Sequence, residues 1–234
     1  HGITSSGKTE LYIHLIEQTL AEKKQVLYLV PEISLTKQLT SRLKRIFGNK
    51  LAVYHSRFSD AERVEIWNNM LQDKGYEVVI GARSAVFIPF RQLGLVIVDE
   101  EHETSYKQFD PAPRYNARYA AIVLASLHGA KTLLGSATPA IESYFNAKTG
   151  KYGYVAINQR FREMELPDIL IADTKEAYRK KQMEGHFTPL LKEKTKKALQ
   201  NKEQVILFQN RRGYAPYLEC KLHLCTQMQK MRCE

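Results

Sequence analysis

The chain has 234 residues, 44% hydrophobic and 26% charged, which suits one large or two modest globular domains and excludes a disordered chain. Lysine and arginine outnumber aspartate and glutamate 35 to 25, a formal charge of +10 that makes a polyanion a reasonable partner without bearing on fold. No apolar run approaches the roughly 18 residues of a membrane span, no signal-peptide pattern opens the sequence, and the cysteines are confined to positions 220, 225 and 233; no membrane contact and a cytoplasmic location are expected.

Residues Gly2-Ile3-Thr4-Ser5-Ser6-Gly7-Lys8-Thr9 spell G-x-x-x-x-G-K-T, a loop whose backbone N–H groups wrap nucleotide phosphates. In such a loop Gly2, Thr4, Ser5, Ser6 and Gly7 line the phosphates, Lys8 meets the β/γ charge, and Thr9 holds Mg²⁺. The stretch Thr9 to Ala21 has Leu11, Tyr12, Leu15, Ile16 and Leu20 at helical spacing, the helix that such a loop needs. The strand that should feed the loop does not precede it, so the chain is expected to open inside a domain of something longer. Next come Val26 to Val30, Leu51 to Val53, Val78 to Ile80, Leu93 to Val98 and Thr132 to Leu134, short runs rich in branched residues. They are separated by helical stretches such as Leu35 to Phe47 and Asp60 to Leu71. Runs apolar on every residue, alternating with helices, predict an α/β fold with a parallel sheet covered on both faces.

The run Leu95-Val96-Ile97-Val98-Asp99-Glu100-Glu101-His102 is an apolar strand ending in clustered acids. A strand of this kind delivers Asp99 to Mg²⁺ opposite the phosphate loop and Glu100 to the water that attacks the γ-phosphate. In this order the two motifs predict a nucleoside triphosphatase with Lys8, Asp99 and Glu100 as its catalytic set. Past Ser143 the pattern loosens into Asn146-Ala147-Lys148-Thr149-Gly150-Lys151, which suits a domain edge. Strands at Tyr154 to Ile157, Ile169 to Ala172 and Val205 to Phe208, with a lysine-rich helix from Pro189 to Gln200, predict the start of a second α/β domain. The expected divisions are 1–145, 146–219 and 220–234.

Asp99-Glu100-Glu101-His102 resembles the second motif of superfamily 2 helicases, and Gly135-Ser136-Ala137-Thr138-Pro139 their S-A-T motif. A serine and threonine turn capping the next helix is the plainer reading of the latter. Further wording is similar to one family, the bacterial replication-restart helicases called primosomal protein N-prime (PriA). It comprises Thr4 to Glu10, Leu29-Val30-Pro31-Glu32-Ile33-Ser34-Leu35-Thr36, His55-Ser56, Gly81-Ala82-Arg83-Ser84-Ala85, Ser105-Tyr106-Lys107-Gln108 and Asn210-Arg211-Arg212-Gly213-Tyr214-Ala215-Pro216. The resemblance implies a P-loop NTPase, a RecA-like helicase lobe followed by an incomplete second RecA-like lobe. It implies ATP and Mg²⁺ as cofactors and 3′ to 5′ DNA unwinding in replication restart and primosome assembly. Implied partners are single-stranded and forked DNA, primosome proteins and single-stranded-DNA-binding protein. Coupling between hydrolysis and movement would fall to His102, Gly135, Ser136, Ala137 and Thr138. A rival reading is a DNA-binding or primosome-interaction module without ATPase activity.

Candidate DNA contacts follow. Pro31, Ser34 and Thr36 lie just past a strand, where backbone amides and hydroxyls could hold a DNA phosphate or simply cap the next helix. Arg83 and Ser84 sit likewise beyond Val78 to Ile80, on the side of the sheet where ligands bind in such folds. Tyr106, Lys107, Arg114 and Tyr115 interleave aromatics with cations, a composition that stacks on bases and tracks phosphates, or else packs as tyrosines under a basic rim. In the family a cysteine-rich, zinc-binding insertion begins where Cys220 stands. Here the spacing Cys220-x4-Cys225-x7-Cys233 forms no C-x-x-C pair, so residues 220–234 read as an aberrant or truncated start of that insertion. Cys220 is kept as a candidate zinc ligand, with Cys225 and Cys233 doubtful.

Overall fold

The computed structural model describes residues 1–3, 6–31, 34, 37–55, 58–72, 75–160 and 168–208. The chain forms two compact units, His1–Glu165 and Leu166–Glu234. In the first, α1 (Lys8–Ala21) leads to β1 (Gln25–Leu29), α2 (Lys37–Phe47), β2 (Leu51–Tyr54), α3 (Asp60–Leu71) and β3 (Val78–Gly81). Then follow β4 (Leu93–Asp99), α4 (Ala117–Leu127), β5 (Lys131–Gly135) and α5 (Ile141–Lys148).

The five strands make one sheet in the order β2-β3-β1-β4-β5, every pairing parallel. Alternation along the strands sends side chains to two cores. Val26, Tyr28, Ile80 and Ile97 pack with Tyr12, Ile13 and Ile16 of α1 and Leu43 and Phe47 of α2 on one face. Leu27, Leu29, Val79, Val96 and Val98 pack with Ile66 and Met70 of α3 and Ala117, Ala121 and Ala125 of α4 on the other. This explains why the runs are apolar on every residue: neither face meets water. The fold is therefore the α/β, parallel-sheet architecture predicted, with the loop ends at the carboxyl edge of β1, β3, β4 and β5 gathered on one side.

The first unit runs past residue 145 because the chain returns to its beginning. Ile157 makes a parallel bridge with Gly2, and the His1 ammonium donates to the Val155 carbonyl at 2.7 Å. Tyr152, Tyr154 and Val155 face Leu133 and Leu134 of the edge strand β5 across a cavity of about 390 Å³.

In the second unit the described residues form α6 (Thr174–Arg179) and α7 (Pro189–Gln200). Three strand expectations fail: Tyr154 to Ile157, in the first unit, contributes the single bridge residue Ile157, and in the second unit neither Ile169 to Ala172 nor Val205 to Phe208 is a strand. A run of branched residues becomes a strand only when a neighbour completes its ladder, and Ile171 and Ile206 stand 91% and 92% exposed. Among the described residues no helix is long and apolar enough to cross a membrane.

Candidate active site

The glycine loop enters α1 through Gly7, whose φ of 83° and ψ of 18° place it in the left-handed region that favours glycine. Gly2 is required for another reason: a Cβ there would lie 2.8 Å from Ser6 Oγ and 3.0 Å from Lys8 Cγ. Lys8 curls back, its Nζ donating to the Gly2 carbonyl at 2.9 Å and standing 3.6 Å from Glu100 Oε1. Ser6 Oγ is buried with no hydrogen-bond partner among the described residues. An orphaned hydroxyl, a lysine and the open amino end of α1 form the donor set that a phosphate satisfies, so these residues fit a nucleotide. Thr4 and Ser5 lie outside the described residues.

Opposite the loop, β4 ends at Asp99. Tyr12 Oη donates to Asp99 Oδ1 at 3.1 Å, Tyr28 Oη donates to Oδ2 at 3.3 Å, and Glu100 N donates to Oδ1 at 3.0 Å. Burial raises the pKa of Asp99 above its ordinary value, and the Glu100 charge adds to the effect; the Tyr12 hydroxyl, the Glu100 amide and the Lys8 charge oppose it. Burial, followed by the Asp99 charge, pushes the three surrounding phenols Tyr12, Tyr28 and Tyr106 well above their usual value, which keeps them as donors.

Glu100 leaves the strand with φ at 44°. A side chain seldom adopts that conformation, and local strain of this kind gathers at working sites. The turn brings Glu100 to Lys8 and within 3.7 Å of His102 Nδ1. His102 in turn spans the loop after β5: Nδ1 lies 2.8 Å from Ser136 Oγ, Nε2 lies 3.3 Å from Thr138 Oγ1, and Thr138 N donates to Ser136 Oγ at 2.9 Å. That loop is tied to the glycine loop as well, since Gly2 N donates to the Ser136 carbonyl at 3.0 Å and the His1 ring lies 3.0 Å from the Ala137 carbonyl. Gly135 packs so closely on Tyr12 that a Cβ would collide with the hydroxyl.

The residues singled out for DNA are only partly brought together. Arg83 and Ser84 open a 3₁₀ turn at Arg83–Phe87, Arg83 Nη1 donates to the Ser105 carbonyl at 3.4 Å, and Tyr115 meets Phe87 edge-on at 4.8 Å. Lys107 bridges Asn116, closing a loop whose Arg114 is exposed. Pro31 is buried and Ser34 N donates to its carbonyl at 2.8 Å, while Thr36 lies outside the described residues. Tyr106 needs correction. It is 1% exposed, with its hydroxyl donating to the Asp99 carbonyl at 2.6 Å, so its ring is a core clamp rather than a stacking platform. Cys220, Cys225 and Cys233 lie outside the described residues, and among those described no group of three His, Cys, Asp or Glu side chains could hold a metal ion.

Three residues escape the sequence reading. Tyr28 reaches Asp99 from 71 positions away. Glu101 and Arg118, 2% and 8% exposed as side chains, form a buried ion pair at 2.7 Å. The available signal was its register: Arg118 shares the buried face of α4 with Ala121 and Ala125.

The DEAD/DEAH box helicase family matches residues 1–147, the span that carries both nucleotide motifs and the loop joining them. The chain belongs to the DEAD/DEAH box helicase family. Within curated proteins it is similar to replication restart protein PriA of Bacillus subtilis, 42% identical over 221 residues covering 94% of this chain and 27% of that protein. The PriA proteins of Rickettsia conorii and Haemophilus influenzae are 47% and 43% identical, covering 94% and 96% of this chain and 33% and 30% of theirs. The chain thus spans about a third of the length of the curated relatives it matches. A solved RecG structure bound to a three-way DNA junction is 24% identical over 67% of this chain and 20% of its own, but its TM-score of 0.48 adds no weight to the family match.

Proposed function

We propose that the chain is the ATP-binding motor lobe of a 3′ to 5′ DNA helicase acting in replication restart and primosome assembly. Its ligands would be ATP with Mg²⁺ and single-stranded or forked DNA; primosome proteins and single-stranded-DNA-binding protein are its further proposed partners. The observation that carries this reading is the convergence of Lys8, Asp99 and Glu100, joined through His102 to Ser136 and Thr138. Similarity to the PriA proteins supports the biological setting.

Each residue then has a physical task. Lys8, released from the Gly2 carbonyl, would meet the β/γ-phosphates; the orphaned Ser6 hydroxyl and the amides of the loop would take the remaining oxygens. Thr9 and Asp99 would hold Mg²⁺, which usually takes one or two protein oxygens and completes its shell with phosphate and water. Once bound, the ion supplies charge neutralisation on the transferred phosphoryl group. Glu100 would orient a water and accept its proton. His102, hydrogen-bonding with Ser136 and Thr138, would feel any change at Glu100 and carry it to the loop after β5. Arg83, Ser84, Lys107, Arg114 and Tyr115 would contact the strand, with Pro31 and Ser34 supplying backbone groups.

Fluorescent ATP-analogue titration with and without oligo-dT, in the parent and in Lys8→Ala, tests the reading. The parent should bind in a Mg²⁺-dependent way and Lys8→Ala should not. Glu100→Gln should keep binding and lose hydrolysis by about 10²–10⁴-fold, the usual scale for a general base. Equal DNA affinity and no nucleotide signal in parent and Lys8→Ala alike would instead identify a DNA-binding module that does not use ATP.

A further inference from the structure

The two carboxylate oxygens of Asp99 are not equivalent. Oδ1 accepts two hydrogen bonds, from the Tyr12 hydroxyl at 3.1 Å and from the Glu100 amide at 3.0 Å. Oδ2 accepts one, from the Tyr28 hydroxyl at 3.3 Å. A carboxylate offers about four lone-pair sites, shared equally between its oxygens. Oδ1 is therefore filled, and Oδ2 keeps one site for a cation.

This asymmetry is held by packing from three elements. Tyr12 on α1 and Tyr28 on β1 are both buried, and their rings meet edge-on with centroids 5.7 Å apart. Neither hydroxyl can swing away without disturbing the core around it. Gly135, at the end of β5, admits the Tyr12 hydroxyl because it carries no side chain. Tyr106 fixes the backbone, its hydroxyl donating to the Asp99 carbonyl at 2.6 Å. Turning the carboxylate to present Oδ1 to a cation would break the Tyr12 and Glu100 hydrogen bonds together.

Divalent cations differ in what they ask of a carboxylate. Mg²⁺ demands a near-octahedral shell and keeps several waters, whereas Ca²⁺ takes about 6–8 oxygens in flexible geometry and accepts both oxygens of one carboxylate. We propose that Tyr12 is a positioning residue that sets which ion accompanies the nucleotide: by filling Asp99 Oδ1 together with the Glu100 amide, it leaves Oδ2 as the single ligating oxygen and so favours Mg²⁺ over Ca²⁺. This rests on the motor reading above. A tyrosine that only props the core would affect both ions alike and leave their ratio alone.

The test uses the full chain. At a fixed concentration of a fluorescent ATP analogue, Mg²⁺ or Ca²⁺ is titrated to give a half-saturating concentration for each ion. The analogue's own preference between the ions cancels when a variant is compared with the parent. The parent should need less Mg²⁺ than Ca²⁺. Tyr12→Phe frees Oδ1 and keeps the ring, and should shift the ratio of the two concentrations toward Ca²⁺ by about 10-fold, the lower end of what an outer-shell partner of a metal ligand contributes. Tyr28→Phe removes a hydroxyl from the oxygen that already ligates, and should leave the ratio as it is in the parent. Thermal melts in chelator verify that each variant is folded. If Tyr12→Phe is not, Gly135→Ala, whose methyl group displaces the same hydroxyl, should give the same shift. A folded Tyr12→Phe, or Gly135→Ala in its place, with the parental ratio overturns the inference. So does a Tyr28→Phe that shifts the ratio equally, or a parent that takes both ions alike. A parent that binds the analogue with neither ion overturns the motor reading itself.

Discussion

At Asp99 the chain accepts a cost. Its folded pKa is raised by burial and by Glu100, so the folded state holds the proton more tightly than the unfolded one. The stabilisation from that proton is fully present below the unfolded value of about 4 and is lost as pH rises through the higher folded value. At neutral pH the charged carboxylate is therefore a liability, the expected price of a metal ligand kept in place by tyrosines. Asp99→Asn keeps an oxygen for the Tyr12 hydroxyl and removes the charge. In chelator without nucleotide it should melt at a higher temperature than the parent at pH 7.5, with the gain shrinking as the pH is lowered toward 4; a lower melting temperature at pH 7.5 would contradict this. Gly135 offers a second test, because a methyl group there meets the Tyr12 hydroxyl. Gly135→Ala should cost about 1–3 kcal/mol in chemical denaturation, the usual scale for overpacking, and Tyr12→Phe in the same chain should recover part of it, a non-additivity expected of touching residues. The sequence made Lys8, Asp99 and Glu100 legible because a loop and a strand end carry them in local motifs. The tyrosines on Asp99, 87 and 71 positions away from it, and the Glu101 and Arg118 pair belong to no local pattern; only the packed sheet brings them together.

Elements of the first unit were legible because each satisfies two signals at once. Asp60 to Leu71 reads as a helix from its pattern and is started by Ser59, whose hydroxyl accepts from Glu62 N while Glu62 accepts from Ser59 N. The strands β1, β3 and β4 were legible from unbroken apolar runs because the sheet buries both faces. Ile169 to Ala172 and Val205 to Phe208 carry the same composition without being strands, since composition reports that a run fits a buried sheet and not that partners are present. By contrast α7 is specified locally, which is why its bounds Pro189–Gln200 match the expectation. Thr188 caps it, accepting from Leu191 N at 3.3 Å, with Pro189 at the first helical position. Removing that cap in Thr188→Ala should destabilise the helix by about 1 kcal/mol. The loss should be seen as reduced far-UV circular dichroism on warming, with nucleotide binding by the first unit unchanged.

For the whole molecule, the bulk charge of +10 acquires meaning only through where the cations stand. Arg83, Lys107 and Arg114 lie beyond the carboxyl ends of β3 and β4, on the side of the sheet that also carries Asp99, Glu100 and His102, whereas Lys23 precedes β1 at the opposite edge. Nucleotide and strand would therefore share one edge of the sheet, which is the arrangement that lets one ligand bias the other. If Arg114 meets a DNA phosphate, binding must release one condensed counterion fewer when it is removed. On single strands each such contact contributes about 0.7 to the slope of log K against log salt. Arg114→Ala should therefore flatten that slope by about 0.7 for oligo-dT and oligo-dA alike, because a phosphate contact carries no base information. Lys23→Ala should leave the slope as it is. Anisotropy titrations across a salt series measure both variants, and equal slopes for Arg114→Ala and the parent would move the DNA path off this edge.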